Sequence, residues 1–389
     1  MRSYRVGRVM GIPIELNVTL IVFIPIIVWL IAGDVGSDRG ARLWIDVIAA
    51  ISPHRLSAEP LQRGAVPWLL GTAAAVGLFA SVAVHELGHS WVALRNDLAI
   101  SSITLWIFGG MAQMDEEPED WRVEFWMALA GPATSVGIGL GVLLLLRVVP
   151  SSPAPVVFVL GWLAVMNLVL AAFNLLPAFP MDGGRVLRAL LSRRRSHAAA
   201  TRTAAAVGKV VAVGMGILGI LGFNPILLLI ALFVYVGASG ESRMSAIGEA
   251  LEDVEVRDLM TREVRTVRPD TSVEELTQRM LAERHTGYPV TDEDGSVVGI
   301  VTLGDVEDVR ETERSSTTVA SVMTADVITV EPDVAAADVL RTMASNGVGR
   351  LVVEERGSMV GIISRTDVMT AVDVLGETGG VARGALPGR

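Results

Sequence analysis

Long uncharged runs alternate with short polar ones through the first 240 residues, and the alternation stops near Glu241. Leu16 to Gly33 makes a first run, with Glu15 and Asn17 at its start. Val66 to Val84 gives 19 residues without a charge, enough to cross a bilayer core, and the helix it predicts extends over 64–95. Phe125 to Leu146 gives 22, and a fourth run covers about 156–176. Val210 to Gly240 is uncharged for 31 residues. As one helix that run is about 46 Å long, too long for a core of about 30 Å. Gly222-Phe-Asn224-Pro225 is a turn signal within it, so two spans, 203–222 and 225–240, fit better. The pattern predicts six spans.

Shorter patterns fill the gaps. Residues 1–13 carry Arg2, Arg5 and Arg8 and end in Gly11-Ile12-Pro13; with no small-x-small site following, the first run reads as a retained span, not a cleaved signal. Residues 34–63 read as a polar loop in which Arg39, Arg42, Arg55 and Arg63 balance Asp34, Asp38, Asp46 and Glu59. Residues 100–114 are too short to span as a helix; β-branched and aromatic residues around Gly109-Gly110 predict a hairpin. That hairpin either simply packs or offers an edge to an extended chain. Residues 115–120 read as a solvated acidic connector.

After Glu241 the chain repeats itself. Val256-Arg-Asp-Leu-Met260-Thr261 recurs as Val319-Ala-Ser-Val-Met323-Thr324, an offset of 63, and Gly299-Ile-Val-Thr302-Leu-Gly-Asp305 recurs as Gly361-Ile-Ile-Ser364-Arg-Thr-Asp367, an offset of 62. Each copy reads strand, helix, strand, strand, helix, with Pro269 and Pro332 opening the first helix. Residues 374–389 are rich in Gly and read as a flexible tail.

Composition narrows the chemistry. At 51% hydrophobic the chain is a membrane protein with a soluble appendage, and zero cysteines exclude disulfides and thiolate metal sites. The net charge of −10 is uneven, and no basic, aromatic-bearing cluster suggests nucleic-acid binding. Arg185, Arg188, Arg193, Arg194, Arg195 and Arg202 form the densest cation run, which places their loop in the cytoplasm and suffices as a topology anchor. With six spans, both termini are then expected in the cytoplasm of a multi-pass cell-membrane protein.

The chemistry gathers in Val84-His85-Glu86-Leu87-Gly88-His89. Histidines at i and i+4 share a helix face and can hold one zinc ion, with the intervening Glu placed to take a proton from the attacking water. Two histidines flanking a glutamate also arise by chance, but ionisable groups at membrane depth are expensive and functional by default. The trio lacks one ligand. Asp182, the only acid between Glu124 and Glu241, follows two helix-breaking prolines on the same side of the membrane and supplies it, outweighing a role as turn residue before Gly183-Gly184.

His85-Glu-Leu-Gly-His89, Phe108-Gly109-Gly110, Ala130-Gly131-Pro132 and Asn174-Leu-Leu-Pro-x-x-Pro-x-Asp182-Gly183-Gly184, in order over residues 1–240, resemble the site-2 protease family of intramembrane zinc metalloproteases. The resemblance implies zinc on His85, His89 and Asp182, Glu86 as general base, and Asn174 holding substrate backbone. Phe108, Gly109 and Gly110 are the candidate substrate-binding residues if the hairpin pairs with an extended substrate. The family cleaves single-span membrane proteins. Ser135 stands where the family's Gly-Pro-x-x-Asn has Asn, and Asn17 where a His is common; both are expected to affect helix packing and not the ligands. The tail resembles a pair of CBS modules, implying adenine nucleotide (ATP, ADP or AMP) in the clefts, with Thr302 and Ser364 offered to phosphate and Asp305 and Asp367 to ribose. Against this, the two aspartates could merely cap helices, leaving the pair as a homodimer interface.

The expected architecture is a polytopic α-helical membrane domain over 1–240, with about six spans and a small membrane-associated β-hairpin. A cytoplasmic α/β tandem CBS domain follows, repeats at 250–311 and 312–373. The expected function is intramembrane zinc proteolysis (regulated intramembrane proteolysis), modulated by nucleotide; the alternative is a nucleotide-gated transporter or channel, which would line several spans with polar groups.

Overall fold

The computed structural model describes residues 3–107, 109–114, 118, 120–150, 153–251 and 253–377, in two compact units, Met1–Arg243 and Met244–Arg389. Phe108 and the tail 378–389 lie outside the described residues.

The first unit opens on β1 (Ser3–Val9) and β2 (Ile12–Asn17), an antiparallel hairpin turning through Met10 and Gly11, both at positive φ. Then come α1 (Val18–Gly36), α2 (Asp38–Ile51), α3 (Ala58–Gln62) and α4 (Val66–Arg95). β3 (Ile100–Trp106) and β4 (Gly109–Met114) follow, then α5 (Trp121–Leu145), α6 (Ala154–Asn174), α7 (Asp182–Ser192), α8 (His197–Leu221) and α9 (Pro225–Ala250). Among the described residues six helices are long and apolar enough to cross a membrane: α1, α4, α5, α6, α8 and α9.

Three sequence expectations change here. The hairpin at 100–114 forms, but as half of a four-stranded sheet ordered β1-β2-β3-β4, with β2 and β3 parallel. Ile12, Ile14 and Leu16 alternate along β2 and pack with Ile103 and Leu105 against α4. The loop at 34–63 contains α2: Ser37 Oγ accepts from Gly40 N at 3.0 Å as its N-cap, and Ala41 and Ile48 are fully buried, Ile48 beside Phe158 and Trp162. The last span does not stop at 240, because no Pro interrupts α9 before Ala250.

The second unit holds two similar halves. The first has α10 (Val256–Leu259), α11 (Val273–Glu283), β5 (Gly287–Thr291), β6 (Val297–Thr302) and α12 (Leu303–Glu307). The second has α13 (Val319–Val322), β7 (Thr329–Val330), α14 (Ala336–Ser345), β8 (Arg350–Glu355), β9 (Ser358–Ser364) and α15 (Arg365–Glu377). The first strand of the first half is reduced to a parallel bridge, Val267 with Val290. Pro269 and Pro332 precede the helices without opening them; α11 and α14 start after Ser272 and Ala335. Residues 374–377, expected in the tail, finish α15. Leu276, Tyr288 and Val301 are fully buried in the first half, as are Val339, Leu351 and Ile363 in the second. Each such burial stabilises by about 1.5–3 kcal/mol.

Candidate metal centre

α4 is helical throughout its apolar run, so His85 and His89 lie one turn apart on the face that meets α5 and Asp182. α6 ends at Asn174, the Pro177–Pro180 bend turns the chain, and Asp182 begins α7. His85 Nε2 lies 3.2 Å from Asp182 Oδ2, His89 Nε2 lies 3.3 Å from the same oxygen, and the two Nε2 atoms are 3.2 Å apart. A tetrahedral zinc ion with bonds of about 2.0–2.1 Å separates its ligands by about 3.3 Å. The triangle fits.

Proton placement supports the same conclusion. His89 Nδ1 is 2.7 Å from the carbonyl oxygen of Met127, which only accepts, so Nδ1 carries the hydrogen and neutral His89 presents a lone pair at Nε2. His85 Nδ1 is held 2.9 Å from Ser135 Oγ. With Ser135 Oγ accepting from His85 Nδ1, as a hydroxyl can, both Nε2 lone pairs would face inward across 3.2 Å beside a carboxylate, a donor set for a cation. Gly131 of α5 allows this approach: a Cβ there would stand 2.7 Å from His85 Nε2 and closer still to His89 Nε2.

Glu86 faces the same cavity, a space of about 320 Å³ that His85, His89, Asp182, Asn174, Gly110 and Met111 help to line. Gly110 of β4 lies against Glu86, where a Cβ would come within 2.7 Å of its carboxyl carbon. Gly109 lines the cavity too, and β4 is the last strand in the sheet order among the described residues, so the outermost strand of the sheet borders the carboxylate.

The structure overturns two expectations about individual residues. Ser135 does touch one of the candidate ligands, through His85 Nδ1, while Asn17 caps α1 by accepting from Thr19 N at 3.0 Å. The resemblance flagged position 135 as a departure, and the helical offset of four from Gly131 was the available signal. Arg188, read as part of a topology anchor, is buried against Glu124 and Glu241. We expect Ser135→Ala to weaken zinc binding about tenfold by freeing the His85 ring, and Ser135→Asn to retain most of it; competition with a chelator measures both.

In the second unit the two Asp side chains turn back on their own helices. Thr302 N and Oγ1 donate to Asp305 Oδ2 at 2.7 and 2.8 Å, and Ser364 N and Oγ donate to Asp367 Oδ2 at 2.8 and 2.7 Å. These are capping arrangements, on side chains that stay partly exposed.

Apolar spanning helices, one bearing His-Glu-x-x-His, and a carboxylate from a second segment completing a His₂Asp donor set define a membrane metallopeptidase. The description "Peptidase family M50" matches residues 73–156 and 148–218, and "CBS domain" matches 256–310 and 319–374. The chain is 35% identical over 375 residues to "Zinc metalloprotease MJ0392" of Methanocaldococcus jannaschii, covering 96% of this chain and 97% of that protein. Among solved structures, "Site-2 Protease from Methanocaldococcus jannaschii" is 36% identical, covers 62% of this chain and 96% of its own, and gives a TM-score of 0.42. "CBS-domain containing protein ATU1752 from Agrobacterium tumefaciens" is 31% identical over 30% of this chain and 92% of its own, with a TM-score of 0.29. The chain belongs to the zinc metalloproteases of the site-2 protease type, peptidase family M50, carrying a tandem pair of CBS domains.

Proposed function

We propose that this enzyme cleaves the transmembrane segments of single-span membrane proteins within the lipid bilayer, as a step of regulated intramembrane proteolysis. The observation that carries the reading is the triangle of His85, His89 and Asp182 donor atoms, with Glu86 and the β4 residues Gly109 and Gly110 lining the same cavity. His85, His89 and Asp182 are the zinc ligands and Glu86 is the catalytic base. Zinc held there supplies Lewis acidity, polarising the scissile carbonyl and acidifying water. Glu86 accepts the proton of the attacking water and passes it to the leaving amine. A substrate helix hides its carbonyls in its own hydrogen bonds, so it must first unwind. Gly109, Gly110 and the adjoining edge of β4 then pair with the extended chain, and Asn174 holds its backbone. Phe108, outside the described residues, precedes these glycines in the family motif and is the third proposed substrate residue. Arg193, Arg194 and Arg195, between α7 and α8, support a cytoplasmic position for this end of the site and, with six spans, for both termini. The test compares membrane-protein fragments in cells carrying the wild-type chain or Glu86→Gln; a fragment whose amount does not depend on Glu86 removes the proposal. Family membership displaces the transporter or channel alternative.

Residues 1–240 form the protease domain and the repeats at 250–311 and 312–373 the regulatory pair. The pair takes adenine nucleotide at Thr302, Asp305, Ser364 and Asp367 and dimerises. One observation favours a phosphorylated ligand. Arg350 Nη2 donates to Thr286 Oγ1 at 2.8 Å, but its Nη1 is buried without a hydrogen-bond partner. Burial lowers the pKa of this guanidinium, and the Asp367 carboxylate partly restores it. Its counterpart one repeat earlier is Gly287, and the guanidinium packs over that glycine. An anionic phosphate that draws the guanidinium off Gly287 would give Nη1 an acceptor. Accordingly Arg350→Ala should weaken ADP and ATP binding about 10- to 100-fold while sparing adenosine, whereas Asp367→Ala should weaken all three. Calorimetry on the full-length protein distinguishes these outcomes, and equal losses for adenosine and ATP in Arg350→Ala would count against the phosphate role.

A further inference from the structure

α7, the helix that begins at Asp182, is held by one buried guanidinium. Arg188 Nε donates to Glu124 Oε1 at 2.6 Å and its Nη1 donates to Glu241 Oε1 at 2.7 Å. The Arg188 and Glu124 side chains are 8% and 3% exposed. The guanidinium carbon lies 5.3 Å from the ring centroid of Phe179, a buried residue of the bend that leads into Asp182. One side chain therefore joins α7, α5, α9 and the bend before the ligand.

Such a cluster is a weak source of stability. Withdrawing charges from water costs about as much as their attraction returns, and apolar residues of similar volume often do as well. Its geometry specifies register instead. The partner helix α5 also carries Met127, whose carbonyl orients His89, and Ser135, which orients His85. Glu124 lies three residues before Met127, within one turn. The helix that orients both imidazoles is thus the helix to which Arg188 ties the third ligand's segment.

We propose that Arg188 is a positioning residue for the metal centre, holding Asp182 in register with His85 and His89 by pinning α7 to α5 through Glu124, with Glu241 closing the clamp from α9. The proposal rests on the zinc assignment above. Orienting groups behind metal ligands are worth about 10- to 100-fold in affinity.

The test uses the purified full-length protein and two readouts besides proteolysis: zinc retention against a competing chelator, and the visible absorption spectrum of the cobalt(II)-loaded protein. Arg188→Met combined with Glu124→Gln removes the tie without leaving an unpaired buried carboxylate at that position. It should raise the zinc dissociation constant about 10- to 100-fold and alter the cobalt spectrum. Arg188→Lys keeps the positive charge and loses the fork, so it should fall between wild type and the double variant, and it serves even if the double variant cannot be purified. Phe158→Leu, in the core cluster with Ile48 and Leu61, is the control for general destabilisation. It should lower Tm without changing zinc affinity or the spectrum. Wild-type zinc affinity and spectrum in the Arg188 variants, or equal changes in Phe158→Leu at matched Tm, would overturn the positioning role. A wild-type protein that binds no zinc would instead overturn the metal assignment itself.

Discussion

Glu86→Gln is expected to lower proteolysis by about 10²- to 10⁴-fold while leaving one zinc per chain. Glutamine has the volume of glutamate, so it still occupies the space left by Gly110, where any side chain on β4 would collide with residue 86. What it lacks is a basic oxygen. Glu86 is not among the three groups whose donor atoms converge, so metal retention should be untouched. The measurement pairs metal analysis with cleavage of a membrane-inserted substrate. Activity within about tenfold of wild type would show that another group takes the proton.

The part of this site that could be read along the chain was the part whose spacing is local. His85 and His89 lie four residues apart in an uncharged run, and the helix expected at 64–95 forms as Val66–Arg95. Asp182 was reachable because the trio lacked a ligand and the chain offers no other acid between Glu124 and Glu241. The supporting contacts were not reachable in the same way. Ser135 meets His85 across 50 residues, and Arg188 meets Glu124 across 64. An arginine buried between two carboxylates and one anchoring a loop look alike until the helices are packed. The N-terminal strands are hard to read in the sequence for a related reason. β1 is exposed along its whole length and Arg8 interrupts its alternation, and β2 finds its parallel partner only in β3, far along the chain. In α2, balanced charges concealed the buried side formed by Ala41 and Ile48.

Local and distant contributions meet in the second large effect. His85→Ala and Asp182→Ala should each bring zinc content from about one per chain to near zero, with proteolysis lost in parallel. Each removes one corner of a triangle whose sides are 3.2, 3.3 and 3.2 Å, and two remaining donors hold zinc poorly. The consequence for stability follows from linkage. A metal present at a thousand times its dissociation constant stabilises the folded protein by about 4 kcal/mol, provided the unfolded chain does not bind it. Chelation of the wild-type protein should therefore lower Tm, whereas the same chelator should leave the Tm of His85→Ala unchanged. Asp182→Ala carries a further expectation. Its two histidines remain held by Met127 and Ser135 on α5, so the imidazole pair should persist as a weak, low-affinity site detectable at high zinc. His85→Ala removes that pair and should show no such site. Identical high-zinc behaviour in the two variants would mean that α5 does not hold the histidine pair ready independently of α7.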